Sequence, residues 1–146
     1  MTAVLLACAA STLFMAGVAW FVQVVHYPLF SLVGDDRFEE FHDLHSRRTT
    51  IVVGPPMLVE LVTSLVLLAD PPGDSLWLAA VGAGLAVATW AITGLLLAPW
   101  HGRIGREGPT TENLSRLVQL SWPRTFLWTG HAAVVLAMLG LVVGWT

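Results

Sequence analysis

Apolar residues fall into four long runs, which cover about residues 3–30, 51–69, 76–98 and 120–145. Each run is close to the roughly 20 residues that an α-helix needs to cross a bilayer. Lipid offers no hydrogen-bond partner to a free backbone, so each run is expected to be helical. The pattern predicts an all-α fold, a transmembrane four-helix up-down bundle, in which residues 1–146 form one integral membrane domain.

Two long polar connections are expected to carry short surface helices. Residues 34–50 combine charged side chains with a stripe of aromatic ones, which is typical of a helix lying at a membrane surface. In the second connection, residues 101–119, a helix is predicted with Thr110 or Thr111 as its cap. Both segments would then lie at the same end of the bundle.

Prolines are predicted to interrupt three of the spans. Pro28 favours a kink or an end in span one, and Pro99 is expected to end span three. In span two, Pro55 and Pro56 predict a break one turn before Glu60. Lipid cannot satisfy a freed carbonyl, so such a break is expected to face protein or a wet cavity.

Composition and charge support a membrane location. The chain is 55% hydrophobic and 12% charged, whereas soluble domains are about one quarter charged. With no lysine and a net charge of -3, it has no basic face for nucleic acid, so that partner is excluded. The single cysteine, Cys8, cannot form an internal disulfide and is expected to be a buried small side chain.

The arginines lie in the two long connections or at the adjoining entrance to span four. The positive-inside rule therefore places both connections in the cytoplasm and both termini outside it. This predicts a multi-pass protein of the cell (inner) membrane, with the lipid bilayer as its first partner.

Polar residues inside the spans are the main functional candidates. At about 1.5 Å per helical residue, three of them come out roughly 13–17 Å deep, near the middle of the bilayer. A charge at that depth must be protonated, paired or hydrated. The sequence therefore predicts either helix-joining contacts or a pocket open to the cytoplasm. The midplane residues are Gln23, Glu60 and His131, the shallower ones are His26 and Arg124, and Trp128 is a candidate wall residue.

A second group of histidines is expected at the mouth of this pocket. His42 and His45 are three residues apart, and His101 follows the exit from span three. Two or three imidazoles that meet there are candidate ligands for copper, iron or haem. Closing the mouth of the bundle without a metal is the alternative role.

Part of the second half resembles a known family. Span three leaves through Pro99, and the final span is entered through Leu120-Ser121-Trp122-Pro123-Arg124-Thr125. This is similar to the anthrone-oxygenase-like family of small four-span membrane proteins, over about a third of the chain. That family commonly has Asn two residues before the Arg, where this chain has Trp122.

The first half looks more like uncharacterised bacterial membrane proteins, through His26-Tyr27-Pro28 and the stretch from Phe41-His42 to Arg48. The anthrone-oxygenase-like resemblance implies a four-helix bundle and oxygenation of a polycyclic phenolic substrate. It also implies that Arg124 and the histidines lie near the site.

Two functions from different classes follow. In the first, the pocket carries out proton transfer or oxidation on a hydrophobic small molecule. Glu60, His131 or another histidine would be the base, and Arg124 would stabilise developing negative charge. In the second, the protein is a non-catalytic assembly factor or small subunit whose intramembrane polar residues are structural. It would then pack through small residues: Ala80, Gly84 and Ala88 in span three, and Gly140 and Gly144 in span four, where the pair forms either a homo-oligomer seam or a packing contact within the bundle.

Overall fold

Four helices make up the part of the chain that the structure describes. The computed structural model covers residues 1–144 in these terms, with helices α1 (Thr2–Leu32), α2 (Asp35–Ala69), α3 (Leu76–Glu107) and α4 (Thr111–Val143). Each helix is long and apolar enough to cross a membrane. This confirms the all-helical fold and supports a multi-pass membrane protein. Trp145, where the predicted fourth span ends, lies outside the described residues.

The outward faces of the helices are apolar. Leu32, Ile51, Leu95 and Val143 each expose more than half of their surface, and other large apolar side chains are exposed on every helix. In water such a surface would drive aggregation. Against lipid tails it carries no comparable penalty, so the exposed apolar surface also supports a membrane setting.

Each helix packs against two others. Helix α1 lies along α2 and α4, and α3 lies along the same two helices. The polar segments of α2, α3 and α4 meet beside the end of α1, and we call this region the histidine end. The opposite end, near Leu5 and Cys8, is closed by apolar side chains from all four helices.

Two helices change their winding just before a proline. A π-helical turn covers Val22–His26, directly before Tyr27-Pro28, and a second covers Thr93–Leu97, directly before Ala98-Pro99. Proline has no N–H and crowds the carbonyl four residues earlier, and a wider turn relieves both problems. Pro99 was predicted to end span three, but the wider turn lets α3 continue to Glu107.

The first polar connection is part of a spanning helix. The sequence predicts a separate surface helix over residues 34–50 and a break at Pro55-Pro56, whereas α2 runs without interruption from Asp35 to Ala69. No glycine or proline lies between Asp35 and Val53 to stop it, and Asp35 and Asp36 suit the positive end of its dipole.

The second connection behaves in the same way. The predicted surface helix in residues 101–119 is divided at Gly108, which has a φ of 83° and ends α3. The remainder is the first part of α4. Thr110 is its cap, as predicted, and its side chain accepts a hydrogen bond of 3.1 Å from the backbone N–H of Asn113.

Within the chain, α3 packs through another face than that of Ala80 and Gly84, and the use of the latter face against a partner stays a prediction. Ala80 and Gly84 are exposed, and the buried small residues are Ala79, Gly82, Ala83 and Ala86. A Cβ placed on Gly82 would lie 3.3 Å from His131 Nε2, so this glycine lets α4 approach. A four-residue spacing of small residues does not identify the buried face of α3, because this helix carries small residues on several faces.

The Gly140 and Gly144 pair is not packed inside the chain. A Cβ on Gly140 would meet nothing within 4 Å among the described residues, and Gly144 is exposed. Its proposed role in a homo-oligomer stays a prediction.

Candidate functional site

A cavity of about 540 Å³ opens at the histidine end. Drug-sized ligand sites have volumes of about 300–1,000 Å³, so the cavity is large enough for a small organic molecule. Most of its wall comes from α2 and α3, while α1 adds Tyr27 and α4 adds Arg124. The polar lining includes Tyr27, Glu39, His42, His45, Ser46, Thr49, Thr93, His101 and Arg124, and the apolar lining includes Val53, Leu97 and Ala98.

Helical periodicity explains why these residues share one wall. The lining residues of α2 recur every three or four positions from Glu39 to Val53, which places them on one helix face. On α3 they recur at the same spacing from Thr93 to Gly105. The π turn over Thr93–Leu97 lies in this wall, and π turns inside α-helices are frequent at functional sites.

Four histidines meet beside the cavity in two contacting pairs. His26 Nε2 lies 2.8 Å from His45 Nδ1, and His42 Nε2 lies 3.3 Å from His101 Nδ1. The ring centroids of His45 and His101 are 5.7 Å apart, so the two pairs adjoin each other. The sequence predicted that His42, His45 and His101 meet at the mouth, and the structure brings them together. His26 joins them through His45.

The contacts leave one ring nitrogen of His45 free for chemistry. Its Nδ1 also lies 3.1 Å from Thr49 Oγ1, while its Nε2 has no hydrogen-bond partner among the described residues. In contrast, both nitrogens of His101 are engaged, because Tyr27 Oη lies 3.1 Å from its Nε2. His45 is therefore held at one nitrogen and open at the other, and so is His42, whose Nε2 contacts His101 while its Nδ1 has no hydrogen-bond partner among the described residues. Of these two lining imidazoles, His45 is the one that also contacts His26.

Arg124 contributes a positive charge that no carboxylate balances. Within residues 1–144, no Asp or Glu oxygen lies within 4 Å of its guanidinium. Its Nε is buried and has no hydrogen-bond partner in that part of the chain. Its Cζ lies 5.6 Å from the centroid of the Trp128 ring, which gives partial cation–π stabilisation. Arg124 is thus a lining residue with unused donor capacity.

Glu60 belongs to a separate, buried network. Its Oε1 accepts a hydrogen bond of 2.7 Å from His131 Nδ1, and its Oε2 accepts one of 2.8 Å from Trp128 Nε1. Each of the three side chains exposes at most 1% of its surface. None is among the residues that line the cavity. The sequence predicts Glu60, His131 and Trp128 in or beside the pocket. In the structure, their hydrogen bonds instead join α2 to α4 in the interior of the bundle.

Gln23 does not share a layer with Glu60 and His131. Its Nε2 donates to the carbonyl of Val118 at 3.0 Å, and its Oε1 accepts from Ser121 Oγ. The predicted common depth of these residues is wrong, because it takes the fourth helix to begin near residue 120. Helix α4 begins at Thr111, so Ser121 lies about three turns nearer the histidine end than His131 does.

The buried network continues to two residues that the sequence did not single out as polar partners. Ser64 Oγ lies 3.4 Å from His131 Nε2 and 3.5 Å from Cys8 Sγ. Cys8 is fully buried, as expected. One signal was available for Ser64, because it follows Glu60 by four residues and therefore lies on the same helix face.

A metal centre at the mouth is not preformed. Among residues 1–144, no three His, Cys, Asp or Glu side chains are arranged to hold a metal ion. The lining histidines instead contact one another through their nitrogens. Binding of copper, iron or haem by His42, His45 and His101 stays a prediction.

Comparison with family models, curated proteins and solved structures finds no match. The resemblance to the anthrone-oxygenase-like family and the chemistry that it implies therefore stay predictions.

Proposed function

We propose that this chain is an integral membrane protein that binds a hydrophobic small molecule in the cavity at the histidine end and transfers a proton to or from it. The observation that carries the proposal is the lining itself. A cavity of about 540 Å³ combines an open imidazole nitrogen on His45 with the uncompensated guanidinium of Arg124.

The proton-transfer step uses His45 as the base. If His45 Nδ1 donates its hydrogen to His26, its Nε2 carries the lone pair on a residue that lines the cavity. This is the tautomer that a general base needs. A C–H bond next to a carbonyl then breaks, the proton moves to Nε2, and the electron pair moves to the carbonyl oxygen. Arg124 stabilises the resulting enolate or phenolate.

The proton has a route out of the cavity. His26 Nε2 lies 2.8 Å from His45 Nδ1, and the His26 side chain is partly exposed. A histidine that gains a proton at one nitrogen can release one from the other, so the pair forms a two-step relay. The oxidation that the family resemblance implies would additionally need an electron acceptor.

The proposed membrane arrangement is an up-down bundle with the histidine end in the cytoplasm and both termini outside it. The distribution of arginine supports this orientation. On this arrangement the cavity opens on the cytoplasmic side of the cell (inner) membrane.

A second candidate is a non-catalytic membrane component. The buried Glu60 network favours it, because these hydrogen bonds satisfy both carboxylate oxygens and reach no cavity. In that case the intramembrane polar residues join helices and the cavity performs no chemistry.

Hydrogen–deuterium exchange into substrate carbon separates the two candidates. The purified protein in lipid nanodiscs is incubated in D₂O with a panel of polycyclic ketones that have an acidic C–H bond, and deuterium uptake is measured by mass spectrometry. We expect catalysed exchange with at least one compound, and we expect His45→Asn to reduce it at least tenfold. Asparagine keeps a nitrogen near the Nδ1 position but has none at Nε2.

Glu60→Gln is the matched control. We expect it to retain exchange at temperatures where it stays folded, because Glu60 does not line the cavity. If no compound exchanges above the protein-free rate, or if His45→Asn exchanges as fast as the wild type, proton transfer by His45 is refuted and the non-catalytic candidate is favoured.

A further inference from the structure

Three buried polar atoms lack a partner, and all belong to residues that line one cavity. Within residues 1–144, the buried side-chain nitrogen and oxygen atoms without a hydrogen bond are Ser46 Oγ, Thr93 Oγ1 and Arg124 Nε. They come from α2, α3 and α4, and each residue contributes to the cavity at the histidine end. Buried polar atoms nearly always have a partner. Their common location therefore points to a partner inside the cavity, either water or a bound molecule.

The chemistry of these atoms selects an anion. Arginine can only donate hydrogen bonds and stays charged at any physiological pH. A charge at the centre of a bilayer is costly unless it is paired or hydrated. Arg124 is half-buried and lies nearer the histidine end, and its cation–π contact with Trp128 offsets only part of the cost that remains. Glu60 cannot compensate Arg124, because its two oxygens are already bonded. A neutral ligand would satisfy the donor but would leave the charge unbalanced.

Helix contacts place Arg124 and Thr93 towards the inner end of the cavity. Trp90 Nε1 donates to the carbonyl of Met57 at 3.3 Å, which puts these positions of α3 and α2 at one level. Thr93 lies about one turn from that level, on the side of the histidine end. Arg124 lies one turn nearer the histidine end than Trp128, which bonds Glu60.

Part of the remaining lining suits an apolar body, whereas the carboxylates of Glu39 and Asp43 line the cavity ten or more residues before Val53 on α2 and so at its outer end. Val53 and Leu97 line the cavity near its inner end. The rings of Tyr27, His45 and His101 form a wall further out. Ser46 is seven residues before Val53 on α2, or about 10 Å nearer the histidine end, so it would meet a different part of the ligand.

We propose that the cavity binds an organic oxyanion, a carboxylate or phosphate group joined to an apolar body, with the anionic group between Arg124 and Thr93. This names the ligand class of the cavity and rests on its proposed use as the ligand site. The anionic group accepts hydrogen bonds from the guanidinium and from the Thr93 hydroxyl, while the body packs against the aliphatic and aromatic lining.

Binding of shape-matched probes tests the proposal. The full chain, purified in a neutral maltoside detergent, is titrated with 1-naphthoate, with its neutral analogue 1-naphthamide, and with decyl phosphate as a single-chain lipid-like anion. We expect at least one anion to bind tenfold or more tightly than naphthamide. Naphthoate as the tighter anion indicates a soluble ligand, and decyl phosphate as the tighter one indicates a lipid.

Substitutions show whether the preference comes from this site. Arg124→Gln is expected to remove the preference for the anion, and Thr93→Val to weaken anion binding about threefold. Arg103→Gln is the matched control, because Arg103 is exposed and paired with Glu107 at 2.7 Å. It should leave binding unchanged. Should Arg124→Gln not fold, Arg124→Lys is used, and it should retain the anion preference with weaker binding.

The proposal is overturned if naphthamide binds as tightly as both anions. It is also overturned if Arg124→Gln keeps the full anion affinity. Where Arg124→Gln does not fold, full anion affinity in both Thr93→Val and Arg124→Lys overturns it. This outcome differs from failure of the proton-transfer function. The deuterium-exchange assay is independent of these titrations, so anion binding by the wild type without deuterium exchange would leave the ligand class intact and remove only the chemistry.

Discussion

Removing the Glu60 carboxylate should destabilise the protein more than any exposed substitution. Glu60 is fully buried, and its two oxygens accept from His131 Nδ1 at 2.7 Å and from Trp128 Nε1 at 2.8 Å. Glu60→Ala leaves both donors buried and unpaired. Breaking one side of a buried ionisable pair costs about 3–5 kcal/mol, and we expect Glu60→Ala to lower the free energy of unfolding by about that amount.

Glu60→Gln should have a smaller effect. The glutamine has the same shape, and its carbonyl oxygen still accepts from one donor, while its NH₂ group faces the other. Interhelical hydrogen bonds in membranes contribute roughly 0.6–1.7 kcal/mol each, so we expect a loss of about 1–2 kcal/mol. The order of stability should therefore be wild type, Glu60→Gln, Glu60→Ala.

Reversible unfolding by SDS from mixed micelles, followed by far-ultraviolet circular dichroism, measures these differences. Glu40→Gln on the exposed face of the same helix is the control, with an expected change within about 0.5 kcal/mol. A double-mutant cycle with His131→Ala should give a coupling of about 1–3 kcal/mol. If Glu60→Ala lowers the free energy of unfolding by less than about 0.5 kcal/mol, which is the scatter of surface substitutions, the network does not join α2 to α4 as described.

Two further predictions follow from the fold and the charge pattern. Gly82→Ala should lower the free energy of unfolding by about 1–3 kcal/mol, because the new Cβ would lie 3.3 Å from His131 Nε2. Gly84→Ala is the control, because its new Cβ would meet nothing within 4 Å among the described residues, and it should be neutral in the same SDS titration. Equal effects of the two substitutions would contradict the packing of α3 on His131. A reporter enzyme fused to the C-terminus should report an extracytoplasmic location, and a cytoplasmic signal would reverse the proposed orientation.

Many residues of the candidate site can be recognised in the sequence, but their grouping cannot. His42, His45 and His101 are expected together, and they do meet. Glu60 and His131 are expected in the same pocket as Arg124. They instead form a separate network, because a polar side chain inside a membrane protein bonds to the polar group that lies opposite its own helix face. Each residue rotates that face by about 100°, so a pattern of polar positions does not reveal which side chains will meet.

Hydropathy determined the four helices of this protein, because crossing a bilayer requires about 20 apolar residues and a fully bonded backbone. Local chemistry likewise determined the Thr110 cap. Tertiary structure decided that α2 runs unbroken through Pro55 and Pro56, that Glu60 bonds Trp128 and His131, and that Arg124 faces a cavity without a counter-charge. These outcomes depend on the rotation and relative height of packed helices, which are set by contacts between residues far apart in the chain.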